Sequence, residues 1–182
     1  MINVDLHNHS YYSDGFFSPA EVVKFAYEAD CDLFSLTDHD TTEGIAEAQV
    51  EADKLGLELI NGVEISAFWR NMAIHIVGLG VDINNDKLLT GLAHNQTLRK
   101  ERAEKIALGL WRSGIKDALE KTKSLSKTEM LTRTHFAQML IREGYCKDMK
   151  SVFRRYLNGK KPGGVRVEWK NIDEVISWIH HA

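Results

Sequence analysis

The stretch D-L-H-N-H-S at positions 5–10, followed by Asp14, decides how the rest of the chain is interpreted. The short alternating segment at 2–6 predicts a first β-strand that leads into it. Side chains two residues apart on a strand point to the same face, so His7 and His9 can aim at one point. Two neutral imidazoles on a rigid strand end suit a divalent transition metal, although such a pair alone is as compatible with a chance surface arrangement.

Strands and helices alternate through the first 84 residues. This alternation favours an α/β sheet or barrel with its active groups at the carboxyl ends of the strands. The predicted elements are helices at 18–29 and 42–55, and strands at 32–37, 57–65 (broken at 61–62) and 73–81. The apolar positions expected to face inward in the second helix are Ile45, Ala46, Val50 and Leu55.

Six histidine and carboxylate side chains fall at predicted strand ends or in the loops that follow them. A mixed set of this kind suits Mn²⁺, Fe²⁺ or Zn²⁺, and a carboxylate can bridge two ions. One polar residue after a strand would be weak evidence, but six in a consistent position are strong evidence for a metal site. The six are His7, His9, Asp14, His39, Glu64 and His75.

Other polar residues near these motifs have simpler interpretations. Asp38 and Asp40 flank His39, and each could either bind metal or hold the loop and orient the imidazole. We expect His94 and the pair His180-His181 to be polar residues on helices rather than ligands.

The net charge of −3 hides a strong asymmetry along the chain. Residues 1–98 contain four Lys/Arg and sixteen Asp/Glu, whereas residues 99–170 contain nineteen Lys/Arg and eight Asp/Glu. A basic part beside an acidic part suggests a polyanion bound near a carboxylate-rich site that holds cations. The alternative is that the basic helices only present solvated faces.

The later part of the chain is predicted to be mostly helical. Apolar spacing predicts one long helix from residue 86 to residue 113 and shorter helices at 115–124, 134–143 and 149–157. A strand is predicted at 164–169, and Asn171 begins a final helix with an apolar stripe. The chain then stops at Ala182 with no further strand, so we expect an unpaired sheet edge and a protein that has been cut short.

Composition excludes several classes of protein. Charged residues make up 27% and hydrophobic residues 43%, as is usual in globular domains. No apolar run approaches the length of a transmembrane helix, and the N-terminus lacks a basic-then-apolar signal. Cys31 and Cys146 are far apart, which favours buried thiols in a reducing cytoplasm. We therefore expect a cytoplasmic protein with no membrane association and no obligate protein partner.

Taken together, the motifs resemble the PHP (polymerase and histidinol phosphatase) domain family. The motifs are D-L-H-N-H-S, S-D-G, L-T-D-H-D-T, G-V-E-I-S and I-H-I-V-G, in that order within residues 2–80. Further on, T-R-T-H-F-A at 132–137, V-F-R-R-Y-L at 152–157 and the ending I-H-H-A are similar to one subgroup. That subgroup comprises the 3′,5′-nucleoside bisphosphate phosphatases and the 5′→3′ exoribonuclease RNase AM.

The resemblance implies an α/β fold: a distorted (β/α)7 barrel that holds up to three divalent ions, manganese first, with iron or zinc as alternatives. It implies that residues 1–84 form the N-terminal part of the barrel, 85–170 a basic helical insertion, and 171–182 the start of a barrel helix. By motif, the metal ligands are His7, His9, Asp14, His39, Glu64 and His75, with Glu64 bridging. The catalytic group is Glu64, His39 and Asp38, while Arg133 contacts substrate phosphate and His135 lies beside it.

The sequence departs from the family pattern in its later part. The family has a further His in an A-H-P motif, followed by an Asp and a His near its C-terminus, and none of these is present. The chain therefore has six of the nine ligands that the pattern implies, and we expect an incomplete barrel.

The function implied is a metal-dependent phosphoesterase. Its substrates would be 3′,5′-nucleoside bisphosphates or the 5′ ends of short RNA, bound under the basic insertion. One alternative is a phosphatase for another small phosphate, such as a sugar or histidinol phosphate. Another is a fragment that binds nucleotide or RNA without catalysis, because the late ligands are missing.

Overall fold

The computed structural model describes residues 2–182. The chain divides into two compact units, which are described separately. The first unit comprises residues up to Gln96 together with Glu168–Ala182, and the second comprises Thr97–Val167. None of the helices among the described residues has both the length and the apolar character that a transmembrane span requires.

A three-stranded parallel sheet begins the first unit. Its strands are β1 (Val4–Asn8), β2 (Leu33–Leu36) and β3 (Glu58–Leu59), in that spatial order. The connecting helices are α1 (Pro19–Glu28) and α2 (Ile45–Leu55). The predicted capping box at the start of α1 is confirmed, because the Ser18 hydroxyl accepts from the Glu21 N–H and the Glu21 carboxylate accepts from the Ser18 N–H.

The predicted inner face of α2 is partly wrong. Ile45 is buried as expected, but Ala46 and Val50 are exposed, and Ala48 and Ala52 are buried in their place. The buried stripe follows i, i+3 and i+7, and its alanines join the core formed by α1 and β2. The prediction favoured the larger apolar side chains of α2. The packing of this helix against α1 and β2 instead places small alanine side chains in the core.

An antiparallel hairpin follows the parallel sheet. Strand β4 (Gly62–Trp69) pairs with β5 (Met72–Leu79) through a two-residue turn in which Arg70 and Asn71 both have positive φ. The prediction of a third strand at 57–65 and a fourth at 73–81 missed this hairpin. A turn with positive φ at both positions favours Asn-Gly, and Arg-Asn lacks that signal.

The first unit has a mixed α/β architecture. Its strands form one three-stranded and one two-stranded sheet, so the described residues contain no closed barrel. Helix α3 (Asp86–Arg112) begins in this unit, and the last helix of the chain packs with it against β4. The side chains of this second core include Val63, Ile65, Leu88, Leu92, Val175 and Trp178.

The predicted strand at 164–169 is wrong: these residues form neither a strand nor a helix. Just beyond them, the Phe68 N–H on β4 donates to the Lys170 carbonyl, and Phe68 and Asn171 form an isolated parallel bridge. The predicted helix start at Asn171 is confirmed, since its side chain accepts from the Asp173 N–H.

The second unit is helical, as predicted. It contains the later part of α3, followed by α4 (Ala118–Lys123), α5 (Arg133–Arg142) and α6 (Met149–Val152). A π-helical turn at Phe153–Leu157 continues α6 without a break. The buried core of the unit is built from Ile106, Leu110, Phe136, Met139, Leu140, Val152 and Leu157, among others. The chain's final helix, α7 (Ile172–His181), belongs to the first unit.

The contact between Gly91 and Trp178 provides a test of the first unit. Gly91 lies on α3, and a Cβ added there would collide with the buried indole of Trp178 on α7. Helix propensity alone favours Gly91→Ala by about 1 kcal/mol, but overpacking costs about 1–3 kcal/mol. We expect Gly91→Ala to lower the free energy of unfolding, measured by denaturant titration.

The matched background is Trp178→Ala, which lacks the indole with which the added Cβ would collide. Gly91→Ala introduced there should be neutral or stabilising, so the two effects should not add. A stabilising Gly91→Ala in the unmodified chain would refute the close packing of α3 on α7.

Candidate metal centre

The end of β1 supplies the first two candidate ligands. His7 lies within the strand and His9 follows it, and the register with β2 shifts between Asp5 and Asn8. The loop that continues to Asp14 is tight, because the N–H groups of Ser13 and Gly15 both donate to the Ser10 carbonyl. Such an irregularity at a strand end re-aims side chains, and here it brings His7, His9 and Asp14 to one side of the sheet.

The loop after β2 is attached directly to β4. The Asp40 N–H donates to the Glu64 carbonyl at 2.8 Å, and the Glu64 N–H donates to the Asp38 carbonyl at 3.2 Å. His39 and Glu64 therefore form an isolated parallel bridge. The two backbones are locked together at the positions that carry a candidate imidazole and a candidate carboxylate.

The hairpin adds the last candidate ligand. Glu64 and Ser66 alternate along β4 and share one face, and His75 on β5 lies directly opposite Ser66. His75 is thus a diagonal neighbour of Glu64 across the hairpin. Its Nδ1 is 2.8 Å from Glu64 Oε1.

Glu64 is the centre of the cluster. Its Oε2 lies 3.0 Å from His7 Nε2, 3.1 Å from His9 Nε2 and 3.2 Å from His39 Nδ1. Asp14 Oδ1 lies 3.8 Å from a ring nitrogen of His9 and of His39. The side chain of Glu64 is only 7% exposed, whereas that of His7 is 54% exposed, so the cluster is buried at Glu64 and open at its rim.

The histidines control the charge state of Glu64. Burial alone would raise the pKa of this carboxyl, but hydrogen bonds from His75, His9 and His7 and the charge of His39 hold its pKa well below the usual range. Burial also opposes the charged form of His9, yet Glu64, Asp14 and Asp38 together raise the pKa of His9 above its ordinary value. The site therefore favours an anionic Glu64 next to positive charge.

A second hydrogen-bonded layer fixes the tautomer of His9. Ser13 Oγ is 2.6 Å from Asp38 Oδ1 and 3.3 Å from His9 Nδ1. The hydroxyl has one proton, which it donates to the carboxylate, so it accepts from His9 Nδ1–H. In the neutral imidazole, Nε2 is then the acceptor nitrogen, and it faces a Glu64 oxygen. Two acceptors facing each other require a cation between them, either a proton or a metal ion.

The donor set fits divalent metal. Three groups of residues each offer ligand atoms that lie within 4.8 Å of one another. Imidazole nitrogens with carboxylate oxygens are ligands for Mn²⁺, Fe²⁺ and Zn²⁺. The first group is His7, His9 and Glu64, the second is His9, Asp14 and His39, and the third is His39, Glu64 and His75. His9, His39 and Glu64 each belong to two of these groups.

The Asp38 carboxylate anchors the loop after β1 through hydrogen bonds from Ser10 and Ser13. Its side chain is 2% exposed and accepts from the Ser10 N–H at 2.7 Å, the Ser10 hydroxyl at 2.5 Å and the Ser13 hydroxyl. Burial raises the pKa of Asp38 despite these hydrogen bonds. The carboxylate thus faces the serines that support His9.

The Asp40 side chain connects the loop after β2 to strand β4 and helix α3. Its fully buried carboxylate accepts from the N–H and hydroxyl of Ser66, each at 2.8 Å, and from the side-chain amide of Asn95 on α3 at 2.8 Å. Its backbone has a positive φ of 51°, an uncommon conformation for a residue with a side chain, and these hydrogen bonds help to hold it.

Sequence analysis missed the serines and Asn95 of this supporting layer. Ser10, Ser13, Ser66 and Asn95 are all fully buried. Ser10 and Ser13 lie within the quoted motifs, but Asn95 is far from them along the chain and only the fold brings it to Asp40.

The predicted phosphate contacts lie in the second unit. Arg133 is the first residue of α5, and its Nη2 donates to the Val165 carbonyl at 2.6 Å. No residue of the described chain accepts a hydrogen bond from its buried Nε. Burial and the nearby charge of Arg99 lower the pKa of Arg133. Arg99 was missed by sequence analysis, and it is buried, as is Arg102 one turn later on α3.

His135 and the remaining histidines have local roles. The His135 Nδ1 accepts from the Thr132 N–H at 3.1 Å, which completes a capping box at the start of α5. His94 is exposed on α3, and the His181 Nδ1 lies 2.6 Å from the Ser177 carbonyl. Neither belongs to any of the groups of described residues that could hold a metal ion.

A sequence model of the PHP domain matches residues 5–171. The chain belongs to the PHP domain family. The fold agrees: an amidohydrolase from Chromobacterium violaceum, solved with bound sulfate and without metal, superposes with a TM-score of 0.95 at 41% identity, over 99% of this chain and 64% of that one. A Bifidobacterium adolescentis protein assigned as a metal-dependent phosphoesterase gives a TM-score of 0.92 at 23% identity, over 100% of this chain and 64% of that one, which shows the fold alone.

Curated relatives of this PHP chain are named as enzymes. The 3′,5′-nucleoside bisphosphate phosphatase of Chromobacterium violaceum is 41% identical over 98% of this chain. The 5′-3′ exoribonucleases of Haemophilus influenzae and Escherichia coli K12 are 42% and 41% identical, each over 98% of this chain. The chain spans 63%, 65% and 61% of these relatives, which is less than two thirds of their length. The predicted family and subgroup are confirmed.

Asp40→Asn tests whether the buried network supports the centre. The amide replaces one acceptor oxygen with a donor that faces the donors of Ser66 and Asn95, and such a mismatch costs about 1–3 kcal/mol. We expect the free energy of unfolding to fall by about that amount, and bound metal to decrease because His39 and Glu64 lose their fixed spacing.

The matched control is Asp53→Asn, which changes the same charge on the exposed face of α2. Denaturant titration and elemental analysis of both variants provide the comparison. Equal stability and equal metal content in the two would show that the Asp40 network is dispensable.

Proposed function

We propose that this chain acts as a metal-dependent phosphoesterase on 3′,5′-nucleoside bisphosphates and on the 5′ ends of short RNA. The observation that carries the proposal is the convergence of four histidines on the buried carboxylate of Glu64, with Asp14 beside two of them, His9 and His39. The organisation that we propose is a barrel part at 1–84, a basic helical insertion at 85–170 and the start of a barrel helix at 171–182.

Six residues would hold the metal ions, with Glu64 shared between them. Bound divalent ions supply Lewis-acid chemistry and positive charge next to a phosphoryl group. We propose manganese as the metal, with iron or zinc as alternatives that the same ligands accept, and up to three ions in the complete fold. The ligands are His7, His9, Asp14, His39, Glu64 and His75.

Asp38 would contribute to catalysis by positioning rather than by touching substrate. Its carboxylate accepts a hydrogen bond from the Ser13 hydroxyl, and the Ser13 oxygen in turn accepts a hydrogen bond from His9 Nδ1–H. This chain of hydrogen bonds places a proton on His9 Nδ1 and directs Nε2 towards Glu64, where Nε2 can hold a metal ion or a second proton. Glu64 and His39 remain the proposed catalytic pair at the centre.

Arg133 would bind a substrate phosphate. Its buried Nε lacks an acceptor within the described chain, and the like charge of Arg99 nearby opposes its protonated form. A phosphate oxygen would satisfy the donor and offset both charges. His135 fixes the first turn of α5 through its cap, and we propose that it assists by holding Arg133 in place.

The substrate class is inferred from the names of the relatives and from charge. Those relatives are named a nucleoside bisphosphate phosphatase and 5′-3′ exoribonucleases. Residues 99–170 carry an excess of eleven positive charges, which suits a polyanionic substrate. Release of phosphate from a sugar phosphate or histidinol phosphate instead would overturn the substrate class while keeping the reaction.

His7→Ala combined with His9→Ala tests the metal assignment. Both imidazoles belong to the proposed ligand set, and removing a ligand side chain removes its bond to the metal. We expect the double variant to lose most of its bound metal, measured by elemental analysis, and to release no phosphate. Chelation of the unmodified chain should stop phosphate release in the same way.

His180→Ala combined with His181→Ala is the matched control, because it removes the same two side chains from the exposed end of α7. Its metal content should equal that of the unmodified chain. Unchanged metal in the His7 and His9 variant would rule out the site.

Arg133→Ala tests the phosphate contact separately from the metal. A charge-assisted hydrogen bond contributes about 1.5–3 kcal/mol, so kcat/KM for a 3′,5′-nucleoside bisphosphate should fall roughly tenfold to a hundredfold. Metal content should not change.

Arg142→Ala is the control for this variant, since Arg142 is exposed at the other end of the same helix. We expect its kcat/KM to match that of the unmodified chain. A decrease of less than about twofold for Arg133→Ala, too small for one charged hydrogen bond, would make Arg133 a structural residue of α5.

A further inference from the structure

One exposed segment of the second unit has a concentrated positive charge. We call it the basic segment, and it consists of residues 147–161 with the exposed side chains Lys147, Lys150, Arg154, Arg155, Lys160 and Lys161. The segment contains one acidic residue, Asp148, and the next acid along the chain is Glu168. Six cations therefore stand against one anion over fifteen residues.

The basic segment is a compact local structure. Helix α6 continues directly into the π-helical turn, and the chain then reverses, with the Gly163 N–H donating to the Tyr156 carbonyl at 2.7 Å. Arg155 Nη1 donates back to the Tyr145 carbonyl at 3.2 Å, which holds the middle of the segment against the residues just before it. The cations are thus presented by an ordered element.

The positive charges of this segment are not neutralised locally. The only carboxylate, that of Asp148, accepts from the Ser151 N–H at 2.7 Å as the cap of α6, and this hydrogen bond lowers its pKa. Among the described residues, none of the six cations forms an ion pair.

Lysines elsewhere in the same unit behave differently. Each of three exposed lysines is paired with a glutamate: Lys105 with Glu101, Lys121 with Glu143, and Lys123 with Glu120. In the basic segment, the one acidic side chain caps α6 instead. The basic segment therefore carries a net charge of +5 over fifteen residues, whereas the rest of the unit carries +6 over fifty-six.

We propose that the basic segment binds the phosphodiester backbone of single-stranded RNA. The proposal rests on the proposed function, because it names where an RNA substrate is held beyond its reacting end. Lysine and arginine side chains neutralise phosphates with little regard to sequence. The Arg155 guanidinium also lies 5.3 Å from the ring centre of Tyr156, a pairing suited to stacking on bases of any identity.

The composition of the segment favours RNA over an acidic protein. Protein interfaces depend on buried apolar and aromatic anchors at their centre. Met149 is the only large hydrophobic side chain exposed in the basic segment, at 36%. A surface of cations without apolar anchors matches a polyanion.

The test compares two double variants that remove the same charge. Lys160→Gln with Lys161→Gln changes the basic segment, whereas Lys105→Gln with Lys116→Gln changes two exposed lysines outside it. Each variant is titrated against a 5′-phosphorylated RNA of about ten nucleotides, a length within the range of single-strand sites. Fluorescence anisotropy in the presence of chelator measures binding without hydrolysis.

We expect the segment variant to bind RNA roughly tenfold more weakly at about 0.1 M salt. The slope of log affinity against log salt should also decrease in magnitude by about 1.4, because each RNA phosphate that a lysine no longer neutralises lowers it by about 0.7. The control variant should retain the affinity and slope of the unmodified chain. Release of phosphate from a 3′,5′-nucleoside bisphosphate, which contains no phosphodiester linkage for the basic segment to bind, should be the same in all three.

Two results would overturn the proposal. Equally weakened RNA binding in both variants would show that only the net charge of the protein matters. Unchanged RNA binding in the segment variant would favour an acidic protein as the ligand of the basic segment. Failure of the proposed function is a separate result, seen as the absence of phosphate release from the bisphosphate by the unmodified chain. The anisotropy measurement decides the role of the basic segment in either case.

Discussion

The carboxylate of Glu64 is the constraint on which the first unit depends. It is buried at the junction of the hairpin and the parallel sheet, and four imidazoles surround it. A buried anion is unfavourable unless positive charge or hydrogen-bond donors surround it. The fold meets this requirement by bringing strands from distant parts of the sequence to one point, and the same convergence creates ligand groups for divalent metal.

A second layer of polar residues keeps this arrangement rigid. Asp38 connects to His9 through Ser13, while Asp40 connects the loop after β2 to Ser66 and to α3. Both aspartates are buried, and each accepts several hydrogen bonds, which fix their orientation. Preorganisation of this kind lets ligand atoms hold their spacing when like charges or metal ions are close.

The two units differ in the charged side chains that they gather, which fits the proposed division between cation binding and anion binding. The first unit gathers carboxylates and histidines, and the second gathers arginines and lysines, some buried beside Arg133 and others exposed on the basic segment. This division agrees with the charge asymmetry along the chain. An enzyme that hydrolyses phosphate esters requires both: cations that offset charge at phosphorus and fixed donors that bind the remaining phosphates.

Sequence alone determined the family, the six candidate ligands, the capping box of α1 and the long helix α3, because local periodicity and closely spaced motifs encode these features. The tertiary structure decided the rest. The β4–β5 hairpin was missed because its turn lacks the usual glycine, and the inner face of α2 was misassigned because the packing space selects alanines. Asn95 and Arg99 acquire their roles only through interactions with residues distant in sequence, which no local pattern records.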